Sequence, residues 1–131
     1  MTGVQTCALP ISRDEEIFKI YGVDYPTADG TCVRDYVHVD DIARAHVMAI
    51  NHNVPVGIYN LGSNQAHSVK QVVERAIAIT GKKPEIQYSA ARPGDPPMLS
   101  ASADKFDQVA SGWRQYDLDD IIGHAWSWYV R

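Results

Sequence analysis

The feature that most constrains this chain is a strand pattern that passes directly into a helix pattern. Residues 31–39 (TCVRDYVHV) are rich in β-branched and aromatic side chains, as strands are. Their alternation puts valines on one side and Arg34, Tyr36 and His38 on the other, so the sequence predicts a strand with one polar, ligand-facing side.

A helix is predicted immediately after this strand. Asp40 or Asp41 supplies an N-cap oxygen, and Asn53 and Pro55 end the run. The apolar residues between them recur at helical spacing: Ile42, Ala45, Ala49 and Ile50.

The clearest helix signal lies further along the chain. Ser68 and Gln71 form an S-x-x-Q capping box, and Thr80 with Gly81 ends the helix. Its apolar stripe consists of Val69, Val72, Val73, Ala76 and Ile77.

The other elements complete a mixed α/β pattern. Residues 57–61 predict a short apolar strand of the kind buried in a mostly parallel sheet, 85–89 another strand, and 90–99 a proline-rich loop. A shorter helix is expected over 102–110. Asp117 caps a last helix, whose stripe is Leu118, Ile121, Ile122, Ala125, Trp126 and Tyr129.

Composition bounds the class of protein. The 131 residues, 45% apolar and 21% charged, suit one soluble globular domain or part of a larger protein, and no apolar run approaches the ~20 residues of a membrane span. A net charge of −4 without a basic run argues against nucleic acid or anionic lipid as a partner. Cys7 and Cys32, without metal-ligand spacing, indicate neither a disulfide scaffold nor a zinc site, and a cytoplasmic setting is expected.

The first twelve residues differ from the rest. Residues 1–12 carry no charge and no clear period, and amphipathic sequence begins abruptly at Arg13. We expect a non-native or disordered tail over 1–12 and a folded portion over 13–131. A native N-terminal start is the alternative.

Three places carry candidate chemistry, of which the loop 21–30, presenting Tyr21 and Tyr25, indicates little by itself. Arg34 and Tyr36 lie side by side on the predicted strand, which suits a phosphate next to a flat ring; equally, Arg34 could pair with an acid while Tyr36 packs. In the stiff loop 91–97, Arg92 can fork onto phosphate and Asp95 can accept from sugar hydroxyls. Alone, this loop equally suits an ordinary surface turn with a weak ion pair.

Taken in order, several segments resemble a known family. They are YGVDYPTADGTCVRDYVHVDD, GIYNLGSNQAHSV, ARPGD and a helix with Trp126 and Trp128. Together they are similar to the C-terminal part of bacterial UDP-glucose 4-epimerases, which belong to the extended short-chain dehydrogenase/reductase group. The resemblance implies the substrate-binding part of that fold, with the Rossmann N-terminal portion missing.

The resemblance also implies roles for single residues. Positions matching Arg34 and Arg92 hold the diphosphate of the UDP-sugar, and the position matching Asp95 binds the uridine ribose. His38 and Asp41 match positions that we interpret as structural.

Four further positions are implied to line the substrate site. Tyr36, Tyr21 and Val69 match residues around the nucleotide, with Tyr21 on the uracil side. Leu99 matches a position where side-chain size helps decide whether N-acetylated sugars fit, and leucine leaves that choice open.

The family uses tightly held NAD to oxidise the sugar C4 hydroxyl and then returns the hydride to the other face of the 4-keto sugar. Neither a Gly-rich NAD fingerprint nor a Tyr-x-x-x-Lys pair occurs in this sequence. We therefore expect no catalytic, NAD-binding or metal residue in this chain, which would grip the UDP group within a homodimeric parent isomerase of galactose metabolism. The alternatives are a stand-alone, non-catalytic nucleotide-sugar-binding module and part of a sister epimerase or dehydratase.

Overall fold

The structure is a computed structural model that describes residues 17–51 and 54–131. The predicted tail over 1–12 and the predicted helix terminator Asn53 lie outside these residues. The elements in chain order are β1 (Ile17–Tyr21), β2 (Val33–Asp35), α1 (Val39–Asn51), β3 (Ala66–Ser68), α2 (Val69–Thr80), β4 (Glu85–Ser89), β5 (Met98–Leu99), α3 (Asp104–Asp107) and α4 (Leu118–Tyr129).

The described strands form two small sheets, so the predicted α/β class is confirmed. β1 and β4 pair in parallel, with Tyr21 opposite Ser89. β2 is the central strand of the other sheet, antiparallel to β3 and parallel to β5. Arg34 therefore has a neighbouring residue on each side, His67 on β3 and Leu99 on β5.

Helices α2 and α4 begin where their caps predict. The Ser68 side chain accepts from the Gln71 amide at the start of α2, and Asp117 accepts from the Asp120 amide at the start of α4. Both capping boxes are complete. Gly81 ends α2 at φ 70°, the left-handed conformation that a residue without Cβ adopts at least cost.

Two apolar clusters form the core. The first joins β1 to α2 and α4 and contains Phe18, Ile20, Tyr36, Val72, Val73, Ala76, Leu118, Ile121 and Ile122. The second packs beneath α1 and contains Ala45, Ala103, Phe106, Ala110 and Trp113. The predicted stripes of α2 and α4 are confirmed at Val72, Val73 and Ala76 and at Leu118, Ile121 and Ile122, which are buried, whereas Tyr129 of the α4 stripe and Ile50 of the α1 stripe are exposed.

The predicted strand over 31–39 is shorter than its pattern suggests. Regular pairing stops at Asp35, and α1 already begins at Val39, so Asp40 and Asp41 lie in its first turn and neither is the N-cap. At this end the Asp35 carboxylate accepts the amides of Ser63 and Ala101 at 2.9 and 3.2 Å. These bonds tie the end of β2 to two loops.

The predicted strand over 57–61 is wrong. These residues pair with none of the described strands, and Ile58 is 87% exposed. An apolar pattern gives a strand only where a neighbour supplies backbone hydrogen bonds, and no described strand lies beside this segment. The next residue, Gly62, is closely approached: a Cβ there would lie 2.1 Å from the Ala101 carbonyl oxygen.

The remaining differences are small. The strand predicted over 85–89 is confirmed as β4, and its partner β1 was not anticipated. The helix predicted over 102–110 is only the single turn α3. Within the predicted loop 90–99, the last two residues form β5. Of the described helices, none has the length and apolar character required to cross a bilayer.

Candidate functional site

Arg34 and Asp95 form the centre of the candidate site. The Arg34 guanidinium donates through Nη2 to Asp95 Oδ1 at 2.8 Å, and through Nη1 to the carbonyls of Val33 and Pro96 at 2.8 and 2.9 Å. The side chains of Arg34 and Asp95 are 20% and 34% exposed. The arginine is therefore held in one orientation while part of it still faces solvent.

The backbone fixes this pair because β2 lies directly against the proline-rich loop. The Val33 amide donates to the Pro97 carbonyl at 2.8 Å, and Arg34 lies opposite Leu99 in the parallel register. The pairing of the two segments thus brings Arg34 and Asp95, which are 61 residues apart in the sequence, into contact. Prolines stiffen the loop that carries Asp95, which lowers the entropy lost when a ligand binds.

Arg92 and Tyr21 form a second pair at the other end of the same loop. The Arg92 guanidinium carbon lies 4.0 Å from the centroid of the Tyr21 ring, a cation–π arrangement. Tyr21 is the last residue of β1 and lies opposite Ser89 of β4, so the two strands bring it to the start of the loop. This stack holds a cationic group close to a flat aromatic ring.

One turn connects the two pairs. The Asp95 amide donates to the Arg92 carbonyl at 3.2 Å, which brings together the backbone of both charged loop residues. Two guanidinium groups, one carboxylate and one aromatic ring therefore occur on β1, on β2 and on a single turn, although the two strands belong to different sheets. Guanidinium groups bind phosphate oxygens, and carboxylates accept from sugar hydroxyls.

Leu99 and Val69 lie on either side of the central strand. Leu99 is next to Arg34 on β5 and is 53% exposed. Val69 is the first residue of α2, is partly buried against the first core cluster, and donates its amide to the Cys32 carbonyl at 2.9 Å. Both residues border the sheet that carries Arg34.

Tyr36 corrects the predicted ligand-facing side. It is 5% exposed and belongs to the first core cluster, because the strand has already ended at Asp35 and alternation no longer governs its direction. His38, predicted to be structural, is 6% exposed. The polar side expected over 31–39 thus contributes Arg34 to the open surface, whereas Tyr36 and His38 are buried.

Tyr25 adds a buried hydroxyl close to the Arg34–Asp95 pair. Among the described residues, its Oη has no hydrogen bond of ordinary geometry. Burial raises the pKa of Tyr25. The neighbouring Cys32 side chain and Asp95 carboxylate raise this pKa further, whereas the Arg34 guanidinium lowers it. The phenol therefore stays protonated at neutral pH and keeps a proton to donate.

The pairing of Arg34 with an acid while Tyr36 packs is one of the two alternatives that the sequence leaves open, and the structure identifies the acid as Asp95. The carbonyl of Pro96, which accepts from Arg34, carries no signal in residue type, since every residue has such a group. The Arg34–Asp95 and Arg92–Tyr21 contacts depend on the approach of β2 to β5 and of β1 to β4. These contacts could have been predicted only from a signal that links residue pairs 60 or more positions apart in the sequence.

Residues 17–51 and 54–131 contain no group of three histidine, cysteine or acidic side chains that could hold a metal ion. A cavity of about 310 Å³ lies between the starts of α2 and α4; its lining includes Arg75, Asp119 and His67, the β3 residue opposite Arg34. Arg75 and Asp119 form an ion pair at 3.0 Å, so their opposite charges neutralise each other at the wall of this cavity.

Comparison with known proteins gives consistent matches. Residues 10–62 match the model of the NAD dependent epimerase/dehydratase family. A curated relative from Rhizobium meliloti, a UDP-glucose 4-epimerase, is 43% identical over 97% of this chain. The match covers 41% of that relative, so the chain spans about two fifths of its length.

Solved structures agree with the sequence matches. A UDP-glucose 4-epimerase from Stenotrophomonas maltophila, with bound NAD and formylated UDP-arabinopyranose, superposes with a TM-score of 0.88 at 31% identity, over 97% of this chain and 39% of that one. A Bifidobacterium longum UDP-glucose 4-epimerase in complex with NAD+ and UDP gives 0.84 at 32% identity, over 94% and 38%. The described fold is therefore that of part of these molecules.

Proposed function

Because this chain belongs to the NAD-dependent epimerase/dehydratase family, we propose that it is the UDP-binding part of a UDP-glucose 4-epimerase that interconverts UDP-galactose and UDP-glucose. One observation carries the proposal: Arg34, Arg92, Asp95 and Tyr21 converge on one turn and two strands. These are the groups that a nucleoside diphosphate needs.

In this proposal the two arginines bind the diphosphate. Both guanidinium groups are already oriented, Arg34 by three hydrogen bonds and Arg92 by the Tyr21 ring. Pre-orientation reduces the entropy cost of binding. Arg34 can turn its remaining N–H groups to phosphate while the Val33 and Pro96 carbonyls keep its position.

Asp95 then accepts from the ribose hydroxyls. One oxygen of its carboxylate already receives Arg34 at 2.8 Å, and a carboxylate offers about four acceptor positions in total. It can therefore hold the arginine and the sugar at once. Tyr21 would face the uracil ring, and Leu99 would border the hexose, consistent with its exposed position on β5.

Tyr36 and Val69 would act from behind this surface. Tyr36 packs in the core behind β2, and Val69 is the first residue of α2 and bonds to Cys32. Both would therefore shape the nucleotide pocket through packing. This is a smaller role than the direct contact that the strand pattern suggested for Tyr36.

The residues of this chain do not fit NAD. Its sequence contains no G-x-G-x-x-G turn to approach a pyrophosphate and no Tyr-x-x-x-Lys pair to move the C4 proton. We propose that those groups belong to other residues of a longer, homodimeric, cytoplasmic isomerase of galactose metabolism. The 131-residue chain would then bind UDP without epimerising UDP-galactose, even with NAD added.

Calorimetric titration of the full chain with UDP tests the proposal. Arg34→Ala and Arg92→Ala should each weaken binding by about 1.5–3 kcal/mol, or about 10- to 150-fold in Kd, the contribution of a charge-assisted hydrogen bond. Arg75→Ala is the matched control, because Arg75 is a solvent-exposed arginine whose ion pair is with Asp119 and not with Asp95. Equal affinities for Arg92→Ala and the unmodified chain would contradict the proposal, as would an equal loss in the Arg75 variant.

A further inference from the structure

Two histidines face each other between the start of α1 and the middle of α4. His38 Nε2 and His124 Nδ1 are 2.9 Å apart, and the Asp40 amide donates to His38 Nδ1 at 3.0 Å. His38 is 6% exposed, whereas His124 lies on the exposed side of α4. Nothing in the UDP-binding proposal uses either imidazole.

The contacts determine where the protons lie. Since His38 Nδ1 accepts from a backbone amide, its proton is on Nε2, which then donates to His124 Nδ1. His124 carries its own proton on Nε2. Both rings are therefore neutral when the two hydrogen bonds are complete.

An additional proton on either ring breaks one of these bonds. On His38 it would place an N–H opposite the Asp40 N–H, two donors 3.0 Å apart. On His124 it would place an N–H opposite the His38 donor, 2.9 Å away. Neither proton can be accommodated without moving α1 or α4, or rotating a ring out of the contact.

The surrounding groups give an added proton only weak attraction, from the Asp40 carboxylate and the Tyr116 ring. The Asp40 carboxylate is 3.9 Å from His38 Nδ1, but its side chain is 64% exposed, so its attraction is screened. Tyr116, in the segment before α4, packs on both imidazoles at 4.3 and 5.2 Å between ring centroids. The Arg44 guanidinium lies 5.7 Å from the Tyr116 ring and is itself paired with Asp41 at 2.6 Å.

We propose that His38 and His124 form a proton-sensitive latch, closed when both imidazoles are neutral and opened when either ring takes up a further proton. The latch joins the start of α1 to α4. It lies four residues after Arg34, so its opening would loosen the segment that follows the strand of the candidate site.

Long-range ¹H–¹⁵N NMR of the full chain tests the latch directly. At pH 8 both His38 and His124 should carry a proton on Nε2 alone, and on acidification both rings should leave this pattern together, because the first added proton breaks the contact between them. His46, an exposed histidine on α1, is the control, because its Nδ1 bonds to the Ile42 carbonyl of its own helix. A proton on His38 Nδ1 at pH 8, or separate transitions for the pair, would overturn the proposal.

Urea unfolding gives a second readout. His124→Gln keeps an amide oxygen that can accept from His38 but cannot take up a proton in this range, so the variant should fold at pH 8. Between pH 8 and 5.5, the unfolding equilibrium constant of the unmodified chain should rise about fivefold more than that of His124→Gln, corresponding to one lost hydrogen bond. His46→Gln should keep the unmodified pH dependence. Identical pH dependence in His124→Gln and the unmodified chain would overturn the latch.

Discussion

Two regions of this molecule are held together differently. The capped region consists of β1, β4, α2 and α4 around the first core cluster, and both of its helices begin with complete capping boxes. The carboxylate-held region consists of α1 and the loops around the second cluster. There, Asp35 and Asp41 accept backbone amides from distant loops.

The difference lies in how far each stabilising contact reaches along the chain. A capping box joins residues three apart, so it forms wherever its sequence occurs. Asp41 instead accepts the amides of Gln115 and Tyr116, 74 and 75 residues away. The carboxylate-held region is therefore stable only once the whole fold has assembled, and removing one buried group there should cost more than removing a cap.

Trp113→Ala should have the largest effect. Trp113 is fully buried, packs edge-on against Phe106 at 6.0 Å and donates Nε1 to Asp107 at 2.8 Å. The cavity left behind should lower the free energy of unfolding by about 3–5 kcal/mol, measured by urea denaturation. Trp128→Ala is the control, since Trp128 is 71% exposed. A loss below 1 kcal/mol at Trp113 would contradict the packing described.

Asp41→Ala should follow, with a loss of about 3 kcal/mol. Asp41 is 1% exposed, and its removal leaves two backbone amides without an acceptor and leaves the Arg44 guanidinium the Trp113 carbonyl but no ion pair. Asp40→Ala, one residue away with an exposed side chain, should change stability by less than about 0.5 kcal/mol. Equal effects at the two positions would remove the distinction between the regions.

Ser68→Ala tests the capped region and should cost about 1–2 kcal/mol. Its hydroxyl accepts from the Gln71 amide and donates to Asp29, so two bonds are lost. Asp117→Ala loses a cap only and should cost about 1 kcal/mol. If either cap variant were more destabilising than Asp41→Ala, the order proposed for the two regions would be reversed.

Acidification should weaken the contact between the Asp29 loop and α2. Burial raises the pKa of Asp29, but hydrogen bonds from Ser68 and Thr31 outweigh it, so the pKa is lowered overall. A carboxyl group with a lowered pKa in the folded protein stabilises the fold at pH values above its unfolded-state pKa of about 3.9. This stability is lost as the pH falls through the folded-state pKa. Urea unfolding from pH 6 to 2.5 should show less acid destabilisation in Asp29→Asn than in the unmodified chain. Asp24→Asn, at an exposed residue, should leave the pH dependence unchanged.

Ile58→Ser should have the smallest effect. Ile58 is 87% exposed, and such surface changes stay within about 0.5 kcal/mol. The same applies to Ile50, which is 77% exposed on α1. Unfolding of the single variants measures this directly, and a loss above 1 kcal/mol would show that another surface covers these residues.

Much of the capped region could be predicted from sequence. The helix from Val69 to Thr80, its cap at Ser68 and its end at Gly81 all follow from local signals and are confirmed. The prediction of a strand over 57–61 is wrong because a strand depends on a non-local partner. An apolar run favours burial but does not specify which strand will pair with it. The prediction that Tyr36 faces a ligand is wrong because side chains alternate between the two faces only within a paired strand, and β2 ends at Asp35.

The sequence by itself determined the α/β class, the caps of α2 and α4, and which charged side chains are available for a ligand, since these depend on residue type and spacing within a few positions. Only the tertiary structure decided that Arg34 meets Asp95, that Arg92 stacks on Tyr21, and that His38 meets His124 across 86 residues. The physical reason is that such pairs are selected by the packing of strands and helices, which positions side chains that have no local preference for each other.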